Sequence, residues 1–267
     1  MGQQILFFEK SKCDYANEAA SVTASQGNTY VYRVRDRRND SGWRTTGSVD
    51  ADNTYIEADL ADVYNVNNII LINNNFKSYI IQYRNPINGL WTDFSPAINE
   101  TNNTKTTIRH EFTGVTPRIF RITIYGTMTP NDDKQLTQLI ITDKIGKLTA
   151  WPVIKSPKHD NIHALNIMSS GKYYVQKNVT SFMCELESKS WLESNDIAII
   201  EKLFNSIEGF LVWLCGGDET QFSNLIQGYR LQDLYLMNTK KEYQPVFFKG
   251  IYNTGIKTSL PLVEVTF

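Results

Sequence analysis

The chain has 267 residues, 41% hydrophobic and 12% aromatic, with a formal net charge of −1. That length allows two domains with substantial cores, and the balanced charge excludes a surface built for nucleic acid or anionic lipid. Three cysteines, Cys13, Cys184 and Cys215, form no CxxC pattern and leave one over, which argues against a disulfide framework and for a reducing compartment.

"QQILFF" reads as an opening strand, and its apolar run is too short for the core of a secretory signal. Leu6 stands where a myristoylation signal needs Ser or Thr. No apolar run reaches bilayer-spanning length, so no membrane insertion is expected. The Asn-x-Ser/Thr triplets at Asn39, Asn99, Asn102 and Asn178 then read as products of an Asn- and Thr-rich chain. "RVRDRR", Arg33 to Arg38, concentrates positive charge, but Asp36 interrupts it and Asp40 follows. A solvated strand end or an acidic neighbour suits it better than a phosphate-binding strip.

"SGWRTTGSVDADN" places Trp43 in a polar turn. Either the indole plugs the open end of a sandwich core or it stacks on a ligand. The plug is favoured, because a buried tryptophan contributes far more apolar area than a surface loop needs. Its N–H then requires a partner, which the nearby Ser, Thr and Asp residues can supply. Asp50, Asp52 and Asn53 offer oxygen ligands that could hold a structural calcium; the plainer reading is a polar turn.

"NTYIEADL" alternates Tyr55, Glu57 and Asp59 against Ile56, Ala58 and Leu60, the period of a strand with one wet face. "NNIILI" is continuous and suits a strand covered on both sides. "SYIIQYR" leads into "NPINGLW", where Pro86, Asn88 and Gly89 mark a turn before Trp91. "TTIRHEF", "RIFRITIYG" and "QLTQLIITD" complete six or more short strands with no convincing helix. Residues 1–146 are expected to form a β-sandwich or jelly roll.

The Trp in a polar loop, the strand ending in Asp-Leu, "YNVNNIILI", "YIIQYRNPINGLWTDF" and the arginine-containing "RIFRITIYG" together resemble the discoidin, or galactose-binding-like, β-sandwich family over roughly residues 20–145. The resemblance implies a jelly-roll fold, a structural calcium in some members, and sugar stacking on aromatic side chains. Trp43, Phe76 and Trp91 are the candidates for that stacking, with Tyr30, Tyr32, Tyr79 and Tyr83 in the same pool. Many extracellular members tie their ends with a disulfide; Cys13 has no partner in this half.

"KLTAWPVIKSPKHDNIHA" reads as a linker over residues 147–165. His159 and His163, four apart, would share a metal with Asp160 only on a helix. The Ser-Pro context and the missing apolar face make a solvated linker the expectation, and His110 is the only other histidine.

Residues 166–267 change character. "YYVQKNVTSFMCELES" suits a strand pair or one long bent strand. "WLESNDIAIIEKLFNSIEG" predicts a helix over about 194–208, with Ser194 or Asn195 as N-cap and Gly209 as stop. Ile197, Ile200, Leu203, Phe204 and Ile207 share one face. "FLVWLCGG", "LIQGYRLQDLYLMN", "YQPVFFKGIYN" and "TSLPLVEVTF" read as strands, with Cys215 packing as a small hydrophobe. The expected domain is a β-sandwich with one packed helix.

That order of elements is similar to tail-tube, distal-tail and related ring-forming proteins of tailed bacteriophages. The resemblance implies a virion component made in the bacterial cytoplasm, a homo-oligomeric ring contacting other tail or baseplate proteins. The alternative is a carbohydrate-binding module or adhesin recognising host surface glycans. No GxSxG, P-loop or dinucleotide motif occurs, Asp132 and Asp133 read as turn residues, and neither catalysis nor a cofactor is expected.

Overall fold

The first strand does not belong to the sandwich that follows it. In the computed structural model, which describes residues 5–37, 41–148, 152–167, 173–188, 194–206, 209–213, 234–239, 246–249, 254–257 and 259–264, β1 (Leu6–Glu9) pairs antiparallel with β15 (Phe210–Trp213). The chain divides into a flanking unit, Met1–Lys10 with Ile145–Phe267, and an inserted unit, Ser11–Lys144. The chain returns to the flanking unit at Ile145, and the opening strand Leu6–Glu9 belongs to that unit. Leu6, Phe7 and Phe8 are buried, and Phe7 packs edge-on against Phe210 at 6.1 Å.

The inserted unit contains β2 (Ser21–Ala24), a 3-10 helix (Asn28–Arg35), β3 (Trp43–Arg44), β4 (Thr54–Asp59), β5 (Val66–Ile72), β6 (Phe76–Arg84), β7 (Trp91–Glu100), β8 (Ile108–Val115), β9 (Ile119–Thr127), β10 (Gln135–Leu136) and β11 (Gln138–Thr142). A five-stranded sheet, β2-β4-β9-β6-β7, faces a three-stranded one, β11-β5-β8, and β10 pairs with β3. The alternation in "NTYIEADL" appears as expected: Ile56, Ala58 and Leu60 are buried, and Tyr55, Glu57 and Asp59 are half-buried on the other face. Ile56, Ile122, Ile81 and Ile98 align across four strands as one apolar row. Each such side chain contributes about 1.5–3 kcal/mol when fully buried. Phe94 of β7 and Phe112 of β8, 4.1 Å apart, join the two sheets. In β5, Ile69, Ile70, Leu71 and Ile72 are all buried, so both faces are covered.

The 3-10 helix was not legible, and it corrects the reading of "RVRDRR" as a solvated strand end. Arg35 is buried. Its guanidinium donates to the carbonyls of Cys13 (2.6 Å), Ala20 (2.5 Å), Asp14 (2.9 Å) and Asn17 (2.6 Å). One planar cation thus satisfies four acceptors of a segment that has only turns to satisfy them.

The flanking unit adds β12 (Lys144–Lys147), β13 (Pro152–Ile167), β14 (Tyr173–Ser188), α1 (Ser194–Phe204), β16 (Leu234–Thr239), β17 (Val246–Lys249), β18 (Thr254–Lys257) and β19 (Ser259–Glu264). Its seven-stranded sheet runs β12-β1-β15-β16-β19-β14-β13, and β17 pairs with β18. The strands by which the chain leaves and rejoins this sheet, β1 and β12, are neighbours. The chain is mainly β, as expected.

The linker expected over 147–165 is instead the long edge strand β13. Its prolines misled: Pro152 is the first residue of the strand, and Pro157 falls in the register shift between Lys155 and Lys158. Those are the positions where a sheet tolerates a residue lacking an N–H. "YYVQKNVTSFMCELES" is the single long strand β14. Helix α1 buries Ile200 and Leu203, with Ile197 and Phe204 half-buried, but it stops at Phe204, short of the expected 208. It begins at Ser194, so Ser194 and Asn195 are its first helical residues. Ile207, Cys215 and most of "LIQGYRLQDLYLMN" lie outside the described residues.

Candidate functional site

Two of the three candidate stacking residues are core. Trp43 is 1% exposed, its Nε1 donates to the Gln26 carbonyl at 2.9 Å, and its ring meets Phe76 edge-on at 6.5 Å. The plug is therefore correct, although the partner is a backbone carbonyl rather than a neighbouring polar side chain. Phe76 is 0% exposed. No sugar ring can reach either face of these side chains. Tyr79 is equally buried, and its hydroxyl meets His110 Nε2 at 2.9 Å. Burial pushes that imidazole down to about 4, so it is neutral at pH 7. Tyr83 packs on Phe94 at 5.2 Å.

Trp91 differs. It opens β7 opposite Arg84 and is half-buried. On the outward face of the five-stranded sheet, register places Asp93, Gln82, Arg121, Glu57 and Thr23 in one polar row across all five strands. Gln82 Nε2 donates to Asp93 Oδ1 at 2.9 Å, and the Arg121 guanidinium donates to Glu57 Oε1. That guanidinium lies 4.0 Å from the Trp91 ring centre and 4.6 Å from that of Tyr55. Trp91 therefore reaches from β7 past β6 to a cation on β9, and Tyr55 meets the same cation from β4. Below this row Arg118 pairs with both oxygens of Asp59 at 2.7 and 2.9 Å, which holds that carboxyl below its usual range. The turn before Trp91 is fixed by Asn85 Oδ1 accepting from Ile87 N (2.8 Å) and Asn88 Oδ1 from Leu90 N (3.0 Å), yet Ile87 is 93% and Leu90 64% exposed.

Tyr55, Glu57, Gln82 and Arg121 did not figure among the sequence candidates. They were findable as the outward positions of "NTYIEADL", "SYIIQYR" and "RIFRITIYG". The exposed tyrosines Tyr30 and Tyr32 lie on the 3-10 helix, where Arg33 stacks on Tyr30 at 4.5 Å.

The carboxylates named as possible calcium ligands accept hydrogen bonds from the protein itself. Asp50 Oδ1 accepts from Thr127 N (3.0 Å) and Thr127 Oγ1 (2.9 Å), and Asp52 Oδ2 accepts from Val49 N (3.0 Å). Asn53 is exposed. The loop carbonyl of Val49 is taken by Lys134 Nζ at 2.8 Å, a fully buried lysine whose charge faces Asp50, Asp52 and Asp133. An internal ammonium thus supplies the positive charge. Among the described residues no group of three or more His, Cys, Asp and Glu could hold a metal ion. His159 and His163 lie on β13, opposite Phe182 and Lys177. The helix that their spacing would need is not there. Asp132 and Asp133 are turn residues, as expected, and Arg44 pairs with both at 3.6 and 3.4 Å. No helix among the described residues is long and apolar enough to cross a membrane.

No protein-family model and no curated protein matches the chain. Solved structures similar to it include a selenomethionine-labelled variant of chitosan-binding module 1 of a chitosanase/glucanase from Paenibacillus sp. IK-5, at 20% identity and TM-score 0.43, over 50% of this chain and 98% of that one. Another is the family 32 carbohydrate-binding module of C. perfringens NanJ in complex with galactose, at 16% identity and TM-score 0.41, over 50% and 98%. A third is CpGH89CBM32-5 of Clostridium perfringens in complex with GalNAc-β-1,3-galactose, at 12% identity and TM-score 0.39, over 47% and 96%.

Proposed function

We propose that the inserted unit is a non-catalytic carbohydrate-binding module whose ligand lies on the outward sheet face around Trp91. One observation carries this: two aromatic rings flank a single guanidinium on an open sheet, beside a row of fixed amide and carboxylate groups. Aromatic surface suits the apolar faces of sugars, and oriented polar groups suit their hydroxyls. Glu57 and the two rings restrain Arg121, so little side-chain entropy is left to lose on binding. A glycan microarray probed with the full chain tests the reading. Retention that disappears in Trp91→Ala supports it; no retained glycan, or equal retention by Trp91→Ala, overturns it.

For the flanking unit we infer an assembly role of the tail or baseplate type, in a virion built in the bacterial cytoplasm. Its support is the β13–β14 hairpin. These strands pair from Pro152 opposite Ser188 to Ile167 opposite Tyr173, whereas β14 also pairs with β19 only over Met183–Glu187. Beyond that stretch, among the described residues, the hairpin is a two-stranded ribbon with β13 at the sheet edge. An isolated ribbon is marginal by itself, and an open edge accepts strands from a neighbour. Native mass spectrometry should show a closed ring of copies; a monomer at about 10 μM, far above the dissociation constant of a stable interface, would contradict this.

A further inference from the structure

We propose that the ligand of the outward face is an internal stretch of an extended, uncharged polysaccharide laid across the strands, and not a terminal sugar. This rests on the carbohydrate-binding reading above and adds the class of glycan.

Three features of the face point there. First, its contact groups come from four adjacent strands, β4, β9, β6 and β7, and not from loops folded around a cavity. Recognition of a chain end relies on enclosing most of one small ligand, which a sheet surface does not do. Second, the Tyr55 and Trp91 rings lie 4.6 and 4.0 Å from the same guanidinium and form one platform, and the polar groups beside it extend further. The row from Glu57 on β4 through Arg121 and Gln82 to Asp93 on β7 crosses three strand spacings, roughly 14 Å, longer than one sugar ring, so a ligand following it spans more than one residue. A chain following it meets alternating donors and acceptors along its length.

Third, the charges of this face balance: Arg84, Arg118 and Arg121 stand against Glu57, Asp59 and Asp93. Arg121 is paired with Glu57 and Arg118 with Asp59, while Gln82 donates to Asp93. A polyanion would have to compete with Glu57 for Arg121, and a polycation with Arg121 for Glu57. Either exchange breaks a preformed pair to make a new one. Hydroxyl groups, by contrast, can add to the remaining lone pairs and N–H groups without displacing anything. The face therefore favours neutral chains.

The test is titration calorimetry of the full chain with one neutral polysaccharide series at a time, namely β-glucan, xylan, mannan and galactan, each as monosaccharide, oligosaccharides of increasing length and polymer. For the series that binds, affinity should rise at least about tenfold from monosaccharide to the longer oligomers. It should change less than about twofold between about 0.05 and about 0.5 M salt. Trp91→Ala and Tyr55→Ala should each lower polymer affinity about tenfold, with near-native melting temperatures confirming the fold. A variant that fails to fold is replaced by Gln82→Ala, which should weaken polymer binding several-fold. Full affinity at the monosaccharide, or binding confined to charged glycans and lost with salt, overturns the extended-chain inference while leaving a carbohydrate-binding module standing. Absence of binding to every neutral and charged glycan tried overturns both.

Discussion

Replacing Trp43 separates a core plug from a ligand platform. The indole is buried at 1% exposure, touches Phe76 and donates one hydrogen bond to the Gln26 carbonyl. Trp43→Ala removes the ring and leaves a cavity between the sheets, at a cost of about 3–5 kcal/mol to the inserted unit. Trp43→Phe keeps most of the apolar filling but strands the Gln26 carbonyl, so it should cost about 2 kcal/mol, of which roughly 1 is the lost hydrogen bond. Peptide-resolved hydrogen exchange is the suitable assay, because amides of β5 and β6 report the stability of this unit independently of the flanking one. Protection there should fall by the stated energies, with Ala well below Phe. In the same preparation Trp43→Phe should retain glycan within about twofold. A loss under about 1 kcal/mol for Trp43→Ala would refute the plug, since a buried Trp cannot be deleted so cheaply. So would a specific loss of glycan binding in Trp43→Phe.

Other outcomes follow from the same packing. Lys134→Met leaves the Val49 carbonyl and three nearby carboxylates without their internal cation, and should lower stability by about 3 kcal/mol; an unchanged urea midpoint would rule out that role. His110 has a folded-state value of about 4 against an ordinary value of 6.5. The unfolded chain therefore binds the extra proton first, and up to about 3 kcal/mol present above pH 6.5 is lost as pH falls through 4. His110→Phe should flatten that part of the pH–stability curve, and a curve with unaltered slope would exclude His110 as its source. Gly27→Ala should destabilise more than Gly47→Ala. Both have positive φ, but an added Cβ at Gly27 meets the Arg44 carbonyl oxygen at 2.5 Å, and at Gly47 nothing lies within 4 Å. Equal melting temperatures for the two variants would contradict this. Cys13 and Cys184 are buried, with Cys184 pushed up to about 12 by burial, so neither should react with a thiol reagent before unfolding; labelling of either in the folded protein would show that it is accessible.

Strands were legible where burial on one face leaves a period of two, as in β4, and where burial on both faces leaves a continuous run, as in β5. Partners were not. Nothing in "QQILFF" says that its ladder lies at Phe210–Trp213, because pairing across such a separation leaves no local trace. Pro152 and Pro157 hid β13, since proline marks connectors more often than bulged edge strands. The last residue of the 3-10 helix, Arg35, meets carbonyls 15 to 22 residues away, tertiary contacts invisible in "RVRDRR". At the candidate site Trp91 was picked from its turn, but Arg121, Tyr55 and Glu57 needed the strand order β4-β9-β6-β7 to come together. The acidic loop at Asp50 and Asp52 suggested calcium because its counter-charge, Lys134, is more than eighty residues away in sequence.

The central claim is that the outward face of the five-stranded sheet is the binding surface. Hydroxyl-radical footprinting of the full chain, with and without saturating neutral polysaccharide, tests it most directly. Protection should concentrate on Trp91 and Tyr55, with the exposed Tyr15, Tyr30 and Tyr32, which lie off this sheet, equally oxidised in both states. Protection of those three tyrosines instead, or no difference at Trp91, would contradict it.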